Sequence, residues 1–111
     1  MRYYYGKRWT PIHHARMRIG CSKLNADLTF NLHVLDNASC DCGYPIEDAQ
    51  HYLMDCNQFN EERRELFDKI VDISEPNVNL LLFGDFNLTA GQNELIFDAV
   101  HGYMTTTDRF K

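Results

Sequence analysis

The sequence predicts a mainly α-helical fold in one small domain. Apolar residues recur at three- and four-residue steps along much of the 111-residue chain, which is the spacing of amphipathic helices. Capping residues and glycines stand at the ends of these segments. A domain of this length buries only about two thirds of its unfolded surface, so its core is marginal and a bound metal would reinforce it.

The first predicted helix lies near the amino terminus. Thr10 and Pro11 have the residue types of an N-cap and a first helical position. The helix is predicted over residues 12–19, and Gly20 closes it. Ser22 then caps a second short helix whose leucines recur at four-residue steps, namely Leu24, Leu28 and Leu32.

Two further helices and one ambiguous run follow in the second half. Residues 61–73 predict the longest charged helix, with one apolar side formed by Leu66, Phe67, Ile70 and Val71. The run from Leu80 to Phe83 fits a strand or a helical turn equally well. Thr89 and Gln92 have capping-box spacing and open a last helix with the predicted core face Leu95, Ile96, Ala99, Val100 and Tyr103.

Three cysteines and a histidine lie between these helices with the spacing C-x-C-x8-H-x4-C. They are Cys40, Cys42, His51 and Cys56. Thiolate and imidazole form the ligand set that zinc prefers, and four protein ligands make a closed, structural site. The chain is therefore predicted to be a small zinc-stabilised helical domain with a short cysteine-bearing hairpin and Zn²⁺ as its cofactor.

The local sequence suits such a site. Gly43 follows the C-x-C pair and lets the chain reverse. Residues 48–56 are compatible with a helix, but a straight helix would rotate Cys56 away from His51, so we expect unwinding at its end. The alternative is a set of ordinary buried cysteines, with Cys21 as a fourth. Disulfides do not suit an acidic chain without a secretory signal.

Charge is unevenly distributed along the chain. The net charge is -5, yet residues 1–26 contain six basic residues and no acidic one. Cations interleaved with aromatic rings provide the phosphate contacts and stacking surfaces that single-stranded nucleic acid needs. The predicted nucleic-acid-binding residues are Arg2, Lys7, Arg8, Trp9, Arg16, Arg18 and Lys23. The alternative is a solvated helix face, or a surface that pairs with acidic residues of the same fold.

Other kinds of chemistry find little support. The nucleophile elbow, the P-loop, the dinucleotide fingerprint and H-E-x-x-H do not occur, so we expect no enzyme. His13 and His14 are predicted to lie on an exposed helix face. Cys21 is interpreted as a small buried hydrophobic residue. The longest apolar run is four residues, so we expect a soluble chain without membrane contact, located in the nucleus or cytoplasm.

Seven short runs of the chain share one resemblance: residues 4–9, 14–25, 39–43, 51–56, 81–84, 87–89 and 93–100. These runs resemble the carboxy-terminal tail of non-LTR, jockey-like retrotransposon polyproteins. In that family an H-x-R-L-R-x-G-x-x-x-L-N segment precedes a Cys/Cys/His/Cys zinc module. The runs span nearly the whole chain, and the cysteine and histidine portion is the most specific of them.

The resemblance implies a retroelement-derived zinc-binding module that accompanies a reverse transcriptase. Its partners would be RNA or DNA and the rest of the polyprotein, while the Y-x-D-D polymerase motif and endonuclease signatures are missing here. The expected division is a basic helical arm over 1–26, a zinc motif over 36–57 and a helical remainder over 58–111. A structural or protein-interaction module without nucleic-acid binding stays open as the alternative.

Overall fold

Four α-helices form the fold, with three short turns of other helical types between them. The computed structural model describes the backbone of residues 3–110 and the side chains of residues 9–110. The helices are α1 (Tyr3–Arg18), α2 (Asn60–Ile70), α3 (Val78–Phe83) and α4 (Ala90–Thr107). Two π-helical turns lie at Asp27–Asn31 and His51–Asp55, and a 3₁₀ turn at Asn57–Phe59. This described part contains no strand, which confirms the mainly α prediction.

Helix α4 is the element on which the others pack. Helix α2 runs along it, and α1 and α3 contact both α4 and each other. Helix α1 contributes His14 to the fully buried side chains, and the large apolar ones come from the rest of the chain: Leu24, Tyr52, Leu53, Leu66, Ile70, Leu81, Ile96, Val100 and Met104. Because Tyr52 and Leu53 belong to the second π turn, that turn is anchored in the main core.

The start of α4 confirms the predicted capping box. The Thr89 hydroxyl accepts the Gln92 backbone N–H at 3.1 Å, and the Gln92 side chain accepts the Thr89 N–H at 2.9 Å. Four of the five predicted core residues are buried, namely Ile96, Ala99, Val100 and Tyr103. Leu95 is 59% exposed, so its assignment to the core was wrong. The buried stripe follows 96, 100 and 103, and Leu95 lies one residue to its side.

Helix α1 begins at Tyr3, earlier than predicted, and Pro11 lies inside it. Thr10 is buried and Trp9 packs against the core, so tertiary contacts hold the turn before the proline. The predicted end is confirmed. Gly20 has φ 74°, and the N–H groups of Gly20 and Cys21 bond back to the carbonyls of Met17 and Arg16. This is a Schellman closure, which needs a left-handed residue.

Two other helix predictions need correction. Leu24 is fully buried, but the segment after it forms only the π turn Asp27–Asn31, and Leu32 is exposed. Ser22 bonds to the Asp27 carboxylate instead of capping a helix, with 2.6 Å between the two oxygens. Helix α2 ends at Ile70, three residues before its predicted end. Val71, which was predicted on its apolar side, lies after the helix and is 58% exposed. In both segments the apolar residues of the sequence repeat continue past the last residue that packs in the core.

The ambiguous run from Leu80 to Phe83 is helical. Asn77 precedes α3 in an extended conformation, and its side-chain oxygen accepts the Leu80 N–H at 2.9 Å. Leu80, Leu81 and Leu82 are buried while Phe83 is 57% exposed. The asparagine cap is the signal that separates a short helix from a strand here.

His13 and His14 are both buried, so the predicted exposed face was wrong. The His14 Nε2 lies 2.7 Å from the Leu81 carbonyl oxygen, and its Nδ1 lies 2.9 Å from the His101 Nε2. The carbonyl can only accept, so His14 carries its proton on Nε2 and accepts at Nδ1. His14 thus joins α1 to both α3 and α4, and its burial was missed because these partners lie 67 and 87 residues away. His13 stacks on Phe110, which is equally distant in the sequence.

Burial of this ring makes the stability of the fold dependent on pH. Burial, together with the nearby Arg18, lowers the pKa of His14 from 6.5 to about 4. At a pH between these two pKa values, His14 binds a proton in the unfolded chain but not in the folded chain. The free energy of unfolding is therefore expected to fall by up to about 3 kcal/mol as the pH drops from 6.5 to 4.

Urea unfolding of the parent and of His14→Gln across this pH range tests the expectation. Glutamine can still donate to the Leu81 carbonyl but does not titrate. The variant should lose less stability than the parent as the pH falls. Identical losses in the two proteins would show that His14 does not cause the pH dependence.

Candidate metal centre

The four residues predicted as metal ligands lie together. One side-chain donor atom from each of Cys40, Cys42, His51 and Cys56 falls within 4.8 Å of the other three. Three of the residues are buried and Cys42 is half-buried. Their closeness is sufficient to bind one metal ion between them.

The separations also fit tetrahedral coordination. The Sγ atoms of Cys40 and Cys56 are 3.7 Å apart, and the Cys42 Sγ is 3.2 Å from the His51 Nε2. Metal–sulfur bonds of 2.3 Å and metal–nitrogen bonds near 2.0 Å would place such pairs about 3.8 and about 3.5 Å apart. Small side-chain adjustments would therefore satisfy a tetrahedral ion.

A tight chain reversal presents the first two ligands. Cys40 donates its backbone N–H to the Tyr44 carbonyl at 2.8 Å, and Gly43 donates to the Cys40 carbonyl at 3.0 Å. Gly43 has φ 102°, a conformation that residues with a Cβ rarely adopt. Because this reversal is so short, the sulfurs of Cys40 and Cys42 both reach the cluster.

The other two ligands come from the π turn His51–Asp55. On an α-helix a five-residue step would leave Cys56 about 140° from His51. In the π turn the Cys56 N–H bonds to the His51 carbonyl at 2.7 Å, five residues back, and Cys56 itself is extended. The widened turn brings positions 51 and 56 towards the same side. Unwinding was predicted only at the helix end, but the whole turn departs from α geometry.

Two neighbours hold His51, one through its backbone and the other through its ring. The Asp48 carboxylate accepts the His51 backbone N–H at 2.8 Å and fixes the start of the turn. The Tyr44 ring stacks on the imidazole with centroids 4.5 Å apart and planes 6° from parallel. Among the described residues no group accepts a hydrogen bond from the buried His51 Nδ1. Stacking therefore takes the orienting role that an acceptor usually has at metal-bound histidines.

The thiols differ in how readily they lose a proton. Burial raises the pKa of Cys40 to about 12. The pKa of Cys42 is lowered, chiefly by the backbone N–H of Tyr44. A buried thiol with a raised pKa ionises when a cation takes the place of its proton, so a bound metal would supply the charge that Cys40 needs.

Arg63 supports the site by bonding to the backbone around Cys56, and the sequence analysis missed this residue. Its side chain is buried, and its guanidinium donates to the Leu53 carbonyl at 3.1 Å and to the Cys56 carbonyl at 2.7 Å. It also contacts the Tyr103 hydroxyl, which donates to the Tyr52 carbonyl at 2.5 Å. These bonds satisfy the carbonyls at the end of the π turn. The available signal was the helical register, because Arg63 shares the stripe of buried Leu66 and Ile70.

A largely buried ion pair contacts the site at Cys40. Glu47 is 2% exposed and receives two bonds from Arg109, at 2.8 and 2.5 Å. Its carboxylate also accepts the Asn25 N–H at 2.9 Å and lies 3.8 Å from the Cys40 Sγ. The pair links the loop that holds the first two ligands to the segment after α4. No local pattern pairs residues 47 and 109, since 62 positions separate them.

The four predicted nucleic-acid residues whose side chains the structure describes have different surroundings. Arg16 and Lys23 are exposed, and within residues 9–110 neither side chain has a hydrogen bond or an ion pair. Arg18 is half-buried, donates to the Leu82 carbonyl and lies 5.0 Å from the Phe97 ring centre. Trp9 is partly buried and packs against the core. The remaining three predicted residues lie outside the described residues or side chains: Arg2, Lys7 and Arg8.

Cys21 is not part of the cluster, and it is exposed instead of buried as predicted. It follows the left-handed Gly20, where the chain leaves α1 at the surface. The thiol is therefore a natural reference position for experiments on the other three cysteines.

Comparison of the chain with protein-family models, with curated proteins and with solved structures gave no match. The resemblance to retrotransposon polyproteins therefore stays a prediction. Among the described helices, none is both long enough and apolar enough to cross a membrane.

Replacing Arg63 is expected to loosen the metal centre. Arg63→Met would leave the carbonyls of Leu53 and Cys56 buried without a donor, and each lost bond to a charged group is worth about 1.5 to 3 kcal/mol. We expect the free energy of unfolding to fall by about 3 kcal/mol and metal affinity to weaken with it. Urea unfolding and competition with a chelator measure the two effects.

The matched control is Arg64→Met, which removes the exposed neighbouring cation on the same helix. It should change stability by no more than about 0.5 kcal/mol. Equal losses in the two variants would mean that net charge, and not the bonds of Arg63, determines the stability.

Proposed function

We propose that this chain is a retroelement-type zinc module whose basic amino-terminal segment contacts single-stranded RNA or DNA. The observation that carries the proposal is the convergence of Cys40, Cys42, His51 and Cys56. All four coordination positions are filled by protein groups, so the metal would stabilise the fold and catalyse no reaction.

Zinc is the metal that best suits this donor set. Three thiolates and one imidazole are soft to borderline ligands, which disfavours magnesium and calcium. The near-tetrahedral separations suit an ion without a strong geometric preference of its own. Three thiolates on Zn²⁺ leave a net charge of -1, and the guanidinium of Arg63, bonded to the Cys56 carbonyl, provides a nearby positive charge.

Protein purified under reducing conditions is expected to contain about one zinc per chain by elemental analysis. His51→Ala and Cys42→Ser should lose the metal and much of the helical structure, because metal binding and folding share one free energy in such modules. Cys21→Ser is the matched control and should keep the full zinc content. A folded, metal-free parent protein would contradict the proposal, and so would loss of zinc from Cys21→Ser alone.

Support for nucleic-acid binding comes from the unpaired cations of the first segment. Residues 1–26 contain no acidic residue, and Arg16 and Lys23 are exposed without an acidic partner in the described structure. Such cations can neutralise phosphates and release counterions. Arg18 is held by a backbone carbonyl, so we assign it to the fold and not to the interface. Trp9 packs on the core, so its replacement would act on folding as well as on binding.

The salt dependence of binding tests the assignment. Arg16→Gln combined with Lys23→Gln should weaken binding to all single-stranded sequences and lower the log–log salt slope by at most about 1.4, since each phosphate contributes about 0.7. Fluorescence anisotropy with a labelled oligonucleotide at several salt concentrations measures both quantities.

The control removes two cations elsewhere, with Arg64→Gln and Lys69→Gln on the acidic helix α2. That variant has the same net charge but should keep the parent slope. If both double variants lost affinity equally, the segment 1–26 would not be the contact surface. The loss would then come from the change in net charge and not from particular contacts.

A second candidate function is protein interaction without nucleic acid. The observation that favours it is the exposure of Ile12 on α1 and of Ile19 directly after α1, which are 48% and 73% exposed. Apolar side chains of this size beside cations are more typical of a protein contact than of a phosphate contact. In that case the anisotropy assay would show no binding at low salt, while the zinc content would stay as proposed.

A further inference from the structure

One sulfur of the metal centre lies where a small solute can reach it. Cys40 and Cys56 are buried, at 5% and 0% exposed, whereas Cys42 is only half-buried. Cys42 lies in a surface loop in which residues 43–46 are all exposed. Space beside this loop is open, because a Cβ added to Gly43 would have no heavy atom of the described residues within 4 Å beyond its chain neighbours. Solvent therefore reaches the cluster at Cys42.

The other two sulfurs lie directly behind Cys42. The donor atoms of all four ligands fall within 4.8 Å of one another, so a small displacement would bring two sulfurs to bonding distance. Cys40 belongs to the same short loop, and a disulfide between positions 40 and 42 would close a small, strained ring. Cys56 comes from a different segment and has an extended backbone at the end of the π turn. Cys56 is therefore the partner that Cys42 can join with less strain.

Metal coordination would prepare Cys42 for oxidation. A coordinating thiol is deprotonated, and the thiolate is the form of cysteine that reacts with oxidants. Hydrogen peroxide is the oxidant that suits this position, because it is small enough to enter a half-buried site and accepts two electrons.

The reaction has two steps. The Cys42 thiolate attacks one peroxide oxygen, the O–O bond breaks and hydroxide leaves, which gives a sulfenic acid. The Cys56 thiolate then attacks the Cys42 sulfur, an S–S bond forms, the S–O bond breaks and a second hydroxide leaves. Two protons from solvent convert both hydroxides to water. Two thiolates and one peroxide thus become one disulfide and two water molecules.

Such a disulfide would leave the metal with too few ligands. Only Cys40 and His51 would remain, whereas a structural zinc ion has four protein ligands. We propose that Cys42 is a peroxide-reactive modification site, and that its reversible disulfide with Cys56 releases the metal. This inference rests on the zinc site of the proposed function and does not depend on nucleic-acid binding.

Zinc release from the loaded Cys21→Ser protein tests the proposal, because only the cluster cysteines remain in that variant. A small excess of hydrogen peroxide should release about one zinc per chain to a colorimetric chelator, since one disulfide removes two of the four ligands. Mass spectrometry of the digested protein should find residues 42 and 56 joined. A thiol reductant with added zinc should then restore the loaded protein. Retention of the metal would overturn the proposal, and so would irreversible oxidation or a disulfide between two other positions.

The zinc content before oxidation separates this claim from the one on which it rests. A folded parent protein without zinc would contradict the metal site itself, and the oxidation site with it. A loaded protein that keeps its zinc in peroxide would contradict the oxidation site alone.

Limited alkylation of the loaded parent shows which sulfur solvent reaches, without any change to the ligands. A small amount of iodoacetamide should label Cys42 and the exposed Cys21 well before Cys40 and Cys56, because access controls the reaction. Peptide mapping by mass spectrometry measures the order. Equal labelling of the three cluster cysteines would overturn the assignment of Cys42 as the reactive site.

Histidine replacements keep four zinc ligands and isolate the role of Cys42. Cys42→His removes the accessible sulfur, so peroxide should release zinc at least about tenfold more slowly. Cys40→His is the matched control, because it also loses one thiolate but keeps Cys42 and Cys56, and its release rate should stay near that of the parent. Elemental analysis before oxidation checks that both variants are loaded. Equal release rates for the two variants would overturn the proposal.

Discussion

The convergence of His51 and Cys56 on one cluster of metal-ligating side chains governs the structure around them. Five residues separate these ligands, a step that an α-helix would turn to opposite sides. The backbone resolves the conflict by adopting a π turn with a bond from the Cys56 N–H to the His51 carbonyl. Such a turn is rare because its hydrogen bonding is unfavourable, so the surroundings must hold it. Arg63 and Tyr103 provide that support by bonding to the turn's carbonyl groups.

The groups that hold the turn and the ligand loop include two buried charged residues, Arg63 and Glu47. Arg63 lies at the carbonyl end of the turn, where partial negative charge accumulates, and it has no acidic partner among the described residues. Glu47 is buried as well, but Arg109 neutralises it. A metal centre with three thiolates would add negative charge between these two positions. The Arg63 cation would favour that added charge, whereas the Glu47 carboxylate, 3.8 Å from the Cys40 Sγ, would oppose it were it not paired with Arg109.

The sequence was informative wherever the controlling signal was local. The ligand set, the capping box at Thr89 and the closure at Gly20 each depend on residues within a few positions of one another. Prediction was wrong where distant contacts determine the outcome. His14 is buried because it donates to the Leu81 carbonyl and accepts from His101, and Pro11 lies within a helix because the core holds the preceding turn. Arg63 could have been found from its register on α2, whereas the pair of Glu47 and Arg109 has no local signature.

The support of the ligand loop by distant segments means that the motif is not a portable unit. Many zinc fingers fold as isolated peptides, because their ligands and their small core lie in one short stretch. Here residues 36–57 contain all four ligands but neither Arg63 nor Arg109, which hold the π turn and Glu47. A peptide cut at those bounds would carry a buried carboxylate and open carbonyls without their cations. Grafting this module into another protein would therefore require the whole fold and not the cysteine segment alone.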